Sequence, residues 1–372
     1  MKRVNGLSDN DIACSMRREL GGGIVYWHDS WCFWNRRSYE PVSVTFLEHL
    51  VDQYLRDTDD ASNASLARVR RIVGQLRLVS LVHGKTPPCW LCDEALANPR
   101  NLLVLKNGLL EIATSPRLRT HTPGFFGFRA TDYDYRKSAR CPTWREFLGT
   151  TWGRDRKSQR LLQEWFRYCL LPDTSQQKIL GIYGPPCSGK STIARVLREL
   201  LGRGNVACPS IRSLSGAFGL WALQDKLVAI LPDSTLLRPC PAAEERLKLV
   251  SGEDAVDIQR KGMTGLSGER LSTRFVIIAN EAPAFLDPSG ALARRLMVLR
   301  THKSFVGHED IRLTNRLLEE LPGILNWALE GWKRLHERGR FEDTVVSADV
   351  AAILSSLPDQ KRIRRVVVEY DR

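Results

Sequence analysis

A glycine-rich stretch at residues 184–191, with the sequence GPPCSGKS, holds the residue types that bind phosphate. It fits the pattern G-x-x-x-x-G-K-[S/T], whose glycines let backbone N–H groups turn towards phosphate oxygens. Lys190 would reach the β- and γ-phosphates, and the Ser191 hydroxyl would bind Mg²⁺. The stretch therefore predicts a site for ATP and Mg²⁺ formed by Gly184, Pro185, Pro186, Cys187, Ser188, Gly189, Lys190, Ser191 and Thr192.

The residues on either side of this stretch predict the elements that must position it. Residues 178–183 form a short apolar run, which is typical of a buried strand. Apolar residues then recur at helical spacing from Ile193 to Leu201, and Gly202 offers a stop. A helix that starts at the loop adds the partial positive charge of its N-terminus. A chance match in a glycine turn is the alternative, but such a turn does not require this strand and helix.

Two further apolar runs lead to side chains that suit phosphate chemistry. Residues 226–231 precede Asp233, and a carboxylate at the end of a parallel strand can order the water shell of Mg²⁺. Residues 275–279 precede Asn280, whose amide would orient the attacking water or contact the γ-phosphate. A role as a helix cap is the alternative for Asn280.

Paired arginines at positions 294 and 295 precede a further apolar run at residues 297–299. One of them would serve as an arginine finger, which stabilises the charge that develops during phosphoryl transfer. Together with a lysine, an acid and an amide at the ends of three strands, the arginines predict an α/β ATPase core built on a parallel sheet.

The composition argues against a membrane-spanning or secreted chain and favours a polyanionic partner. Of the 372 residues, 43% are hydrophobic and 26% are charged, which is ordinary for a globular chain of two or three domains. No apolar run is long enough for a membrane helix, and the nine cysteines are scattered as in a reducing cytoplasm. The net charge of +13 favours nucleic acid, although a basic patch such as that at residues 68–77 is more often a solvated face.

The first 140 residues predict a mixed α+β domain. Residues 24–34 are typical of an aromatic hairpin, and Asn107-Gly108 between two apolar runs indicates a second hairpin. Residues 142–171 predict a helical connector that leads into the strand before the glycine-rich stretch. Two further helices are predicted at residues 45–55 and 66–82.

Two pairs of residues in this part allow a metal site and also a plainer explanation. Cys89 and Cys92 form a C-x-x-C pair, but no second pair follows at zinc spacing, and two structural thiols are the alternative. Asp132 and Asp134 could bind a metal, but no other acid cluster is near, and turn residues are the alternative.

With these motifs the chain resembles the superfamily 3 helicases, and specifically the helicase half of phage- and plasmid-encoded primase–helicases. The phosphate loop, the acid strand and the asparagine strand follow one another within residues 184–280, which is the compact order of that superfamily. Residues 247–261 are similar to the family's additional motif. Its conserved elements stand here as Gly252-Glu253-Asp254 and Arg260-Lys261.

The resemblance implies an AAA+-like P-loop core that hydrolyses ATP between the subunits of a ring, expected to be a hexamer. One subunit would contribute Lys190, Ser191, Asp233 and Asn280. Ser191 and Asp233 would hold Mg²⁺, and Arg295 would be the arginine finger of the next subunit. Arg260 and Lys261 would contact single-stranded DNA from a β-hairpin that projects into the ring channel.

The resemblance covers residues 5–342 and implies a helicase for replication of a phage, plasmid or integrated element in the cytoplasm of a bacterial host. Its parts would be an α+β domain at 1–140, the connector and ATPase at 141–342, and a basic tail at 343–372. No primase chemistry is recognisable, so priming is expected to need a separate primase.

The chain also departs from the family. Asp233 is followed by Ser234, where many superfamily 3 enzymes have a second acid, so the group that activates water is open. Gly262 and Met263 leave the hairpin tip without an aromatic side chain to stack on a base. Two alternatives to a helicase follow: a catalytically weak DNA-binding remnant of a mobile element, and a small-molecule P-loop kinase.

Overall fold

The structure, a computed structural model, describes most of the chain, and its described residues separate into two compact units between residues 130 and 131. The sequence predicts a first domain at residues 1–140. Asp233 and the basic tail at residues 343–372 lie outside the described residues. The described ranges are 6–58, 64–92, 97–113, 115–128, 130–232, 240–281, 285 and 290–342.

The first unit contains a three-stranded antiparallel sheet packed on three helices. The strands are β1 (Ile24–Trp27), β2 (Ser30–Trp34) and β3 (Tyr39–Val42), and the helices are α1 (Asp9–Glu19), α2 (Val44–Arg56) and α3 (Leu66–Val79). The aromatic hairpin is therefore present, and His28 and Asp29 make its turn at positive φ. One face of the sheet, which includes Tyr26 and Trp31, packs on apolar residues of the helices.

The second predicted hairpin is also present in this unit. Strands β5 (Leu102–Leu105) and β6 (Gly108–Glu111) pair around Asn107-Gly108, and β7 (Arg117–Arg119) extends the sheet. A short pair, β4 (Cys89–Trp90) with β8 (Phe125–Phe126), places Phe126 against the other face of the first sheet.

The basic patch at residues 68–77 is largely neutralised within its own unit. Asp9 lies 3.3 Å from the guanidinium of Arg68 and 2.8 Å from that of Arg71. Glu48 lies 3.1 Å from Arg70. Because acids already pair with these arginines, the patch is a solvated ionic face rather than an open phosphate surface.

The second unit is built on a five-stranded sheet in which every neighbouring pair is parallel. Its strands are β9 (Ile179–Tyr183), β10 (Val206–Ala207), β11 (Val228–Leu231), β14 (Arg274–Ala279) and β15 (Leu296–Arg300). The order is β10-β11-β14-β9-β15, so the predicted parallel sheet is confirmed. The neighbours of β9 are β14 and β15, and residues that follow either strand can therefore reach the glycine-rich loop.

Helices cover the sheet, and a hairpin lies among them. The helices are α4 (Pro142–Trp152), α5 (Arg156–Cys169), α6 (Lys190–Leu201), α7 (Ile211–Ser215), α8 (Pro241–Ser251), α9 (Ala291–Arg295), α10 (Leu313–Glu319) and α11 (Leu321–Arg338). The hairpin consists of β12 (Val256–Arg260) and β13 (Met263–Glu269), and β12 joins α7 and α8 in one core with a sheet face. No helix in the described ranges is long and apolar enough to cross a membrane.

The predicted helical connector forms α4 and α5, and an ionic cluster holds α5 to α11. The buried Glu164 carboxylate lies 3.2 Å from Arg334 and 2.5 Å from Arg338. The Gln163 side chain donates to the Trp327 carbonyl at 2.6 Å. Such paired buried charges fix the relative position of two helices, because losing one partner leaves the other unpaired and buried.

Candidate nucleotide site and hairpin

The glycine-rich loop joins β9 to α6, and Lys190 starts the helix, as the sequence predicts. The lysine side chain is buried, and its Nζ donates to the carbonyls of Gly184 and Pro185, both at 2.7 Å. It also donates to Asn280 Oδ1 at 3.0 Å. Two predicted site residues, Lys190 and Asn280, are therefore in direct contact at the carboxyl ends of adjacent parallel strands.

Glycine is required at both ends of the loop. Gly184 has φ +152°, and a Cβ there would lie 2.1 Å from the carbonyl oxygen of Thr301. Gly189 has φ +91°, and a Cβ there would lie 2.9 Å from the ring of Phe147. The loop is thus clamped between the residue after β15 and helix α4.

A segment after β15 holds the loop from the side. Ser188, which is buried, hydrogen bonds to Thr301 through the two hydroxyls at 2.7 Å. The Phe305 N–H donates to the Cys187 carbonyl at 3.0 Å, and the Ser304 hydroxyl donates to the Pro186 carbonyl at 2.9 Å. These bonds fix the loop backbone, and a rigid cradle lowers the ordering cost of a bound phosphate.

A cleft of about 500 Å³ opens over residues 187–192 of the loop. Its other walls are α4 and a segment at residues 305–316. Glu309 lines it, and the N–H groups of Glu309 and Gly307, with the Cys187 thiol, hold the pKa of that carboxyl below its usual range. Ser191 is exposed and lines the cleft.

Helix α4, one wall of the cleft, is anchored by a carboxylate from the junction of α10 and α11. Glu320 accepts hydrogen bonds from the N–H groups of Thr143 and Trp144, both at 3.0 Å. A carboxylate at the N-terminus of a helix accepts hydrogen bonds from N–H groups that have no intrahelical partner, and it interacts favourably with the helix dipole. Because α4 also carries Phe147, this cap helps to position the residue that supports Gly189.

The predicted arginine finger, Arg295, ends α9 directly before β15, beside the start of β9 and so at the opposite end of that strand from the glycine-rich loop. Arg295 is half-buried, and its Nη1 donates to the Lys248 carbonyl of α8 at 2.7 Å. Arg294 is exposed. This hydrogen bond to Lys248 holds the Arg295 guanidinium against α8.

The hairpin places its two predicted DNA-binding residues differently. Arg260 is only 8% exposed, its Nε donates to the Thr264 carbonyl at 2.7 Å, and its guanidinium lies over the ring of Trp221. Lys261 is exposed in the two-residue turn with Gly262. Of the pair, Lys261 is the side chain that can reach a phosphate without rearrangement.

The two candidate metal pairs of the sequence have ordinary surroundings. Among the described residues, no group of three or more His, Cys, Asp or Glu gathers to hold a metal ion. Burial raises the pKa of the Cys89 thiol, and Cys92 is exposed. Asp134 lies 3.7 Å from Arg136. Tyr133, which separates the two acids in the sequence, donates a hydrogen bond from its hydroxyl to the Leu200 carbonyl near the end of α6.

Sequence reasoning missed several residues that complete the site. Thr301 and Phe147 touch the two essential glycines, but neither belongs to a recognisable phosphate-binding pattern. Trp221 lies far from the hairpin in sequence, so its contact with Arg260 depends on the tertiary fold. Only the position of Thr301 directly after an apolar strand could have signalled a role at the sheet edge.

Two family profiles match this chain. The profile described as "D5 N terminal like" matches residues 13–153, and "Family of unknown function (DUF5906)" matches residues 182–295. With a D5 N-terminal-like domain followed by a DUF5906 domain, the chain has the two domains that are found in phage primase–helicases. The second match spans the glycine-rich loop, Lys190, Asn280 and the hairpin. No curated protein sequence matches the chain.

Solved structures of the C-terminal region of NrS-1 share the fold of this chain. An apo structure of residues 305–718 has a TM-score of 0.60 at 16% identity, and covers 95% of this chain and 77% of that one. Two A-form apo structures have TM-scores of 0.57 and 0.58 at 15% and 13% identity. They cover 92% and 95% of this chain, and 73% and 78% of their own. At such identities the likeness is one of fold.

Proposed function

We propose that this protein is an ATP-dependent DNA helicase module of superfamily 3, with an AAA+-like P-loop core, that acts in replication of a phage, plasmid or integrated element. The observation that carries the proposal is the buried Lys190 ammonium, held between the glycine-rich loop and Asn280 of the adjacent strand. A loop, a lysine and an amide in this arrangement suit a transferring phosphoryl group. The primase–helicase-related domains support DNA as the partner.

The residues of the loop fit a triphosphate with Mg²⁺. Gly184 and Gly189 leave the space that a Cβ would fill, and the Ser191 hydroxyl faces the cleft. Ser191 and Asp233 would hold Mg²⁺, which neutralises charge on the β- and γ-phosphates. Asp233 lies outside the described residues, so its share rests on its place after β11 in the sequence.

The roles of the protein groups follow from charge and position. Lys190 would stabilise the charge that develops on the γ-phosphoryl group, and Asn280 would orient the attacking water. Arg295 would act on the nucleotide of a neighbouring copy, because it ends α9 beside the start of β9, whereas Lys190 follows the other end of that strand. This arrangement calls for a ring, which we take to be a hexamer.

Movement along DNA would come from the hairpin. Lys261 at its turn would bind a backbone phosphate of single-stranded DNA, which positions the strand without reading its sequence. Arg260 would stabilise the hairpin rather than contact DNA, because its guanidinium donates to the Thr264 carbonyl of the hairpin. Strand opening would then supply a template to a separate primase.

The proposal is tested by ATP turnover with and without a single-stranded oligodeoxynucleotide, for the wild type, Lys190→Ala and the control Lys157→Ala. We expect DNA to stimulate wild-type turnover, and Lys190→Ala to lower kcat at least about 100-fold because a charged transition-state contact is lost. Lys157 is exposed on α5, so its replacement should leave both rates unchanged.

The same experiment separates the alternatives. DNA binding without turnover in any of the three proteins would contradict the motor and favour a DNA-binding remnant. Turnover that DNA does not change would point to a kinase or another nucleotide hydrolase. Equal turnover in Lys190→Ala and the wild type would place the hydrolytic site elsewhere.

A further inference from the structure

The glycine-rich loop has different surroundings on its two sides. On the side of β14, the Lys190 ammonium meets Asn280 Oδ1 at 3.0 Å. On the side of β15, the cleft of about 500 Å³ opens between α4 and the segment at residues 305–316, and Asn280 is not among the residues that line it. The Trp152 indole of α4 donates to the carbonyl of Arg300, the last residue of β15, at 2.7 Å, which places α4 on this side. A triphosphate with its γ-phosphate at Asn280 therefore has its nucleoside in the cleft.

The cleft combines apolar and polar surface, as sites for small organic ligands do. Phe305 and Leu313 supply apolar side chains from the segment after β15. Helix α4 supplies Thr143, Glu146 and Thr150 from the other wall. Because these three residues are three and four positions apart, they share one face of the helix. A base in the cleft thus meets apolar side chains from one wall and polar side chains from the other.

Three carboxylates of the described ranges line the cleft, and two of them already have partners. Asp310 lies 2.5 Å from the Arg316 guanidinium. Glu309 accepts hydrogen bonds from backbone N–H groups of its own segment. Glu146 is exposed, and among the residues that the structure describes no hydrogen bond or ion pair engages its carboxylate. The Thr150 hydroxyl donates to the Glu146 carbonyl at 2.9 Å, so the Glu146 carboxylate is left as an acceptor for a ligand.

We infer that Glu146 selects the base of the nucleotide by accepting a hydrogen bond from the exocyclic amino group of adenine. An ionised carboxylate accepts hydrogen bonds and donates none, so it suits a base that presents an N–H group. It would repel the phosphates, which assigns it to the nucleoside end of the ligand. Glu146 is then a specificity-determining residue of the proposed ATPase, and the inference rests on that function.

The test compares three triphosphates by calorimetry with the full chain and Mg²⁺. ATP and purine riboside triphosphate differ only in the amino group at C6 of the base, and dATP differs from ATP only in the 2′-hydroxyl of the sugar. We expect the wild type to bind ATP about tenfold more tightly than purine riboside triphosphate, because the second ligand lacks a hydrogen bond to a charged acceptor.

Glu146→Ala should lower the affinity for ATP and for dATP by the same factor, about tenfold, and leave the affinity for purine riboside triphosphate unchanged. Glu146→Gln should keep part of the preference, because its amide oxygen still accepts a hydrogen bond. Thermal unfolding checks each variant, and Glu146→Met, which keeps the length of the side chain without an acceptor, serves if Glu146→Ala does not fold. Glu337→Ala, at a side chain 63% exposed on α11, is the matched control and should behave as the wild type.

Equal affinity of the wild type for ATP and purine riboside triphosphate would overturn the inference and leave the proposed function intact. An equal loss for both ligands in Glu146→Ala would also overturn it, since Glu146 would then support the cleft without reading the base. A loss for ATP that dATP does not share would assign the carboxylate to the sugar and overturn the inference too. A wild type that binds none of the three would contradict the proposed function itself.

Discussion

Replacing Arg274 with methionine is expected to lower the free energy of unfolding by about 3–5 kcal/mol. Arg274 starts β14 and is only 2% exposed. Its guanidinium donates to carbonyls at the end of α5 and just beyond, and its Nε donates to the Leu227 carbonyl at 3.2 Å. The acceptors are the carbonyls of Tyr168 and Cys169 in the last turn of α5, and those of Leu171 and Asp173 just beyond it.

The expected loss is large because these carbonyls have few other partners in the interior. A helix end leaves its last carbonyls without intrahelical donors, and burying them unpaired costs roughly 1–3 kcal/mol each before relaxation. Methionine fills the space without supplying a donor. Arg274→Lys would keep the charge with a single donor group, and we expect an intermediate effect.

The measurement is urea unfolding combined with hydrogen exchange of peptides from α5 and β14. Peptides from residues 24–34 of the first unit provide an internal reference, and Arg270→Met, at an exposed arginine, is the matched control with an expected change below about 0.5 kcal/mol. Equal unfolding midpoints for Arg274→Met and Arg270→Met would show that the guanidinium does not hold α5 to the sheet.

Replacing Gly184 with alanine is expected to destabilise the second unit by about 2–4 kcal/mol and to weaken ATP binding at least about tenfold. The added Cβ would lie 2.1 Å from both the carbonyl and the hydroxyl oxygen of Thr301. Thr301 cannot easily move aside, because its N–H donates to the Tyr183 carbonyl at 2.8 Å and its hydroxyl hydrogen bonds to the Ser188 hydroxyl. The loop must therefore move, and the carbonyl of residue 184, which binds Lys190, moves with it.

Gly149→Ala is the control for this substitution. Gly149 lies in α4, and a Cβ there would meet no atom within 4 Å. Alanine has the higher helix propensity, so stability should rise by about 0.5–1 kcal/mol. The affinity for ATP, from calorimetry, and the midpoint of thermal unfolding are measured for the wild type, Gly184→Ala and Gly149→Ala. Normal ATP affinity in Gly184→Ala would mean that the loop needs no glycine there.

Local pattern was enough to predict the elements around the site. The apolar runs before Gly184 and Asn280 became β9 and β14, and the helical spacing after Lys190 became α6 with its end at Gly202. These features could be predicted because period and glycine position depend on near neighbours in the chain. The pairing of β9 with β14, which brings Lys190 to Asn280, agrees with the expectation for parallel strands.

Features that depend on distant contacts could not be predicted. Nothing in the local sequence indicates that Arg260 is buried on Trp221, or that Asp9 neutralises Arg68 and Arg71. Likewise, Thr301 supports the loop only because β15 lies beside β9. A basic residue in a sequence motif can therefore serve the fold of a hairpin rather than its ligand, and its exposure decides between the two.

The most direct test of the central claim is the affinity of the wild-type chain for ATP, ADP and AMP by calorimetry in the presence of Mg²⁺. If residues 184–191 bind the β- and γ-phosphates, ATP and ADP should bind far more tightly than AMP, and Lys190→Ala should lose this difference. AMP binding as tight as that of ATP, or an unchanged ranking in Lys190→Ala, would contradict the account.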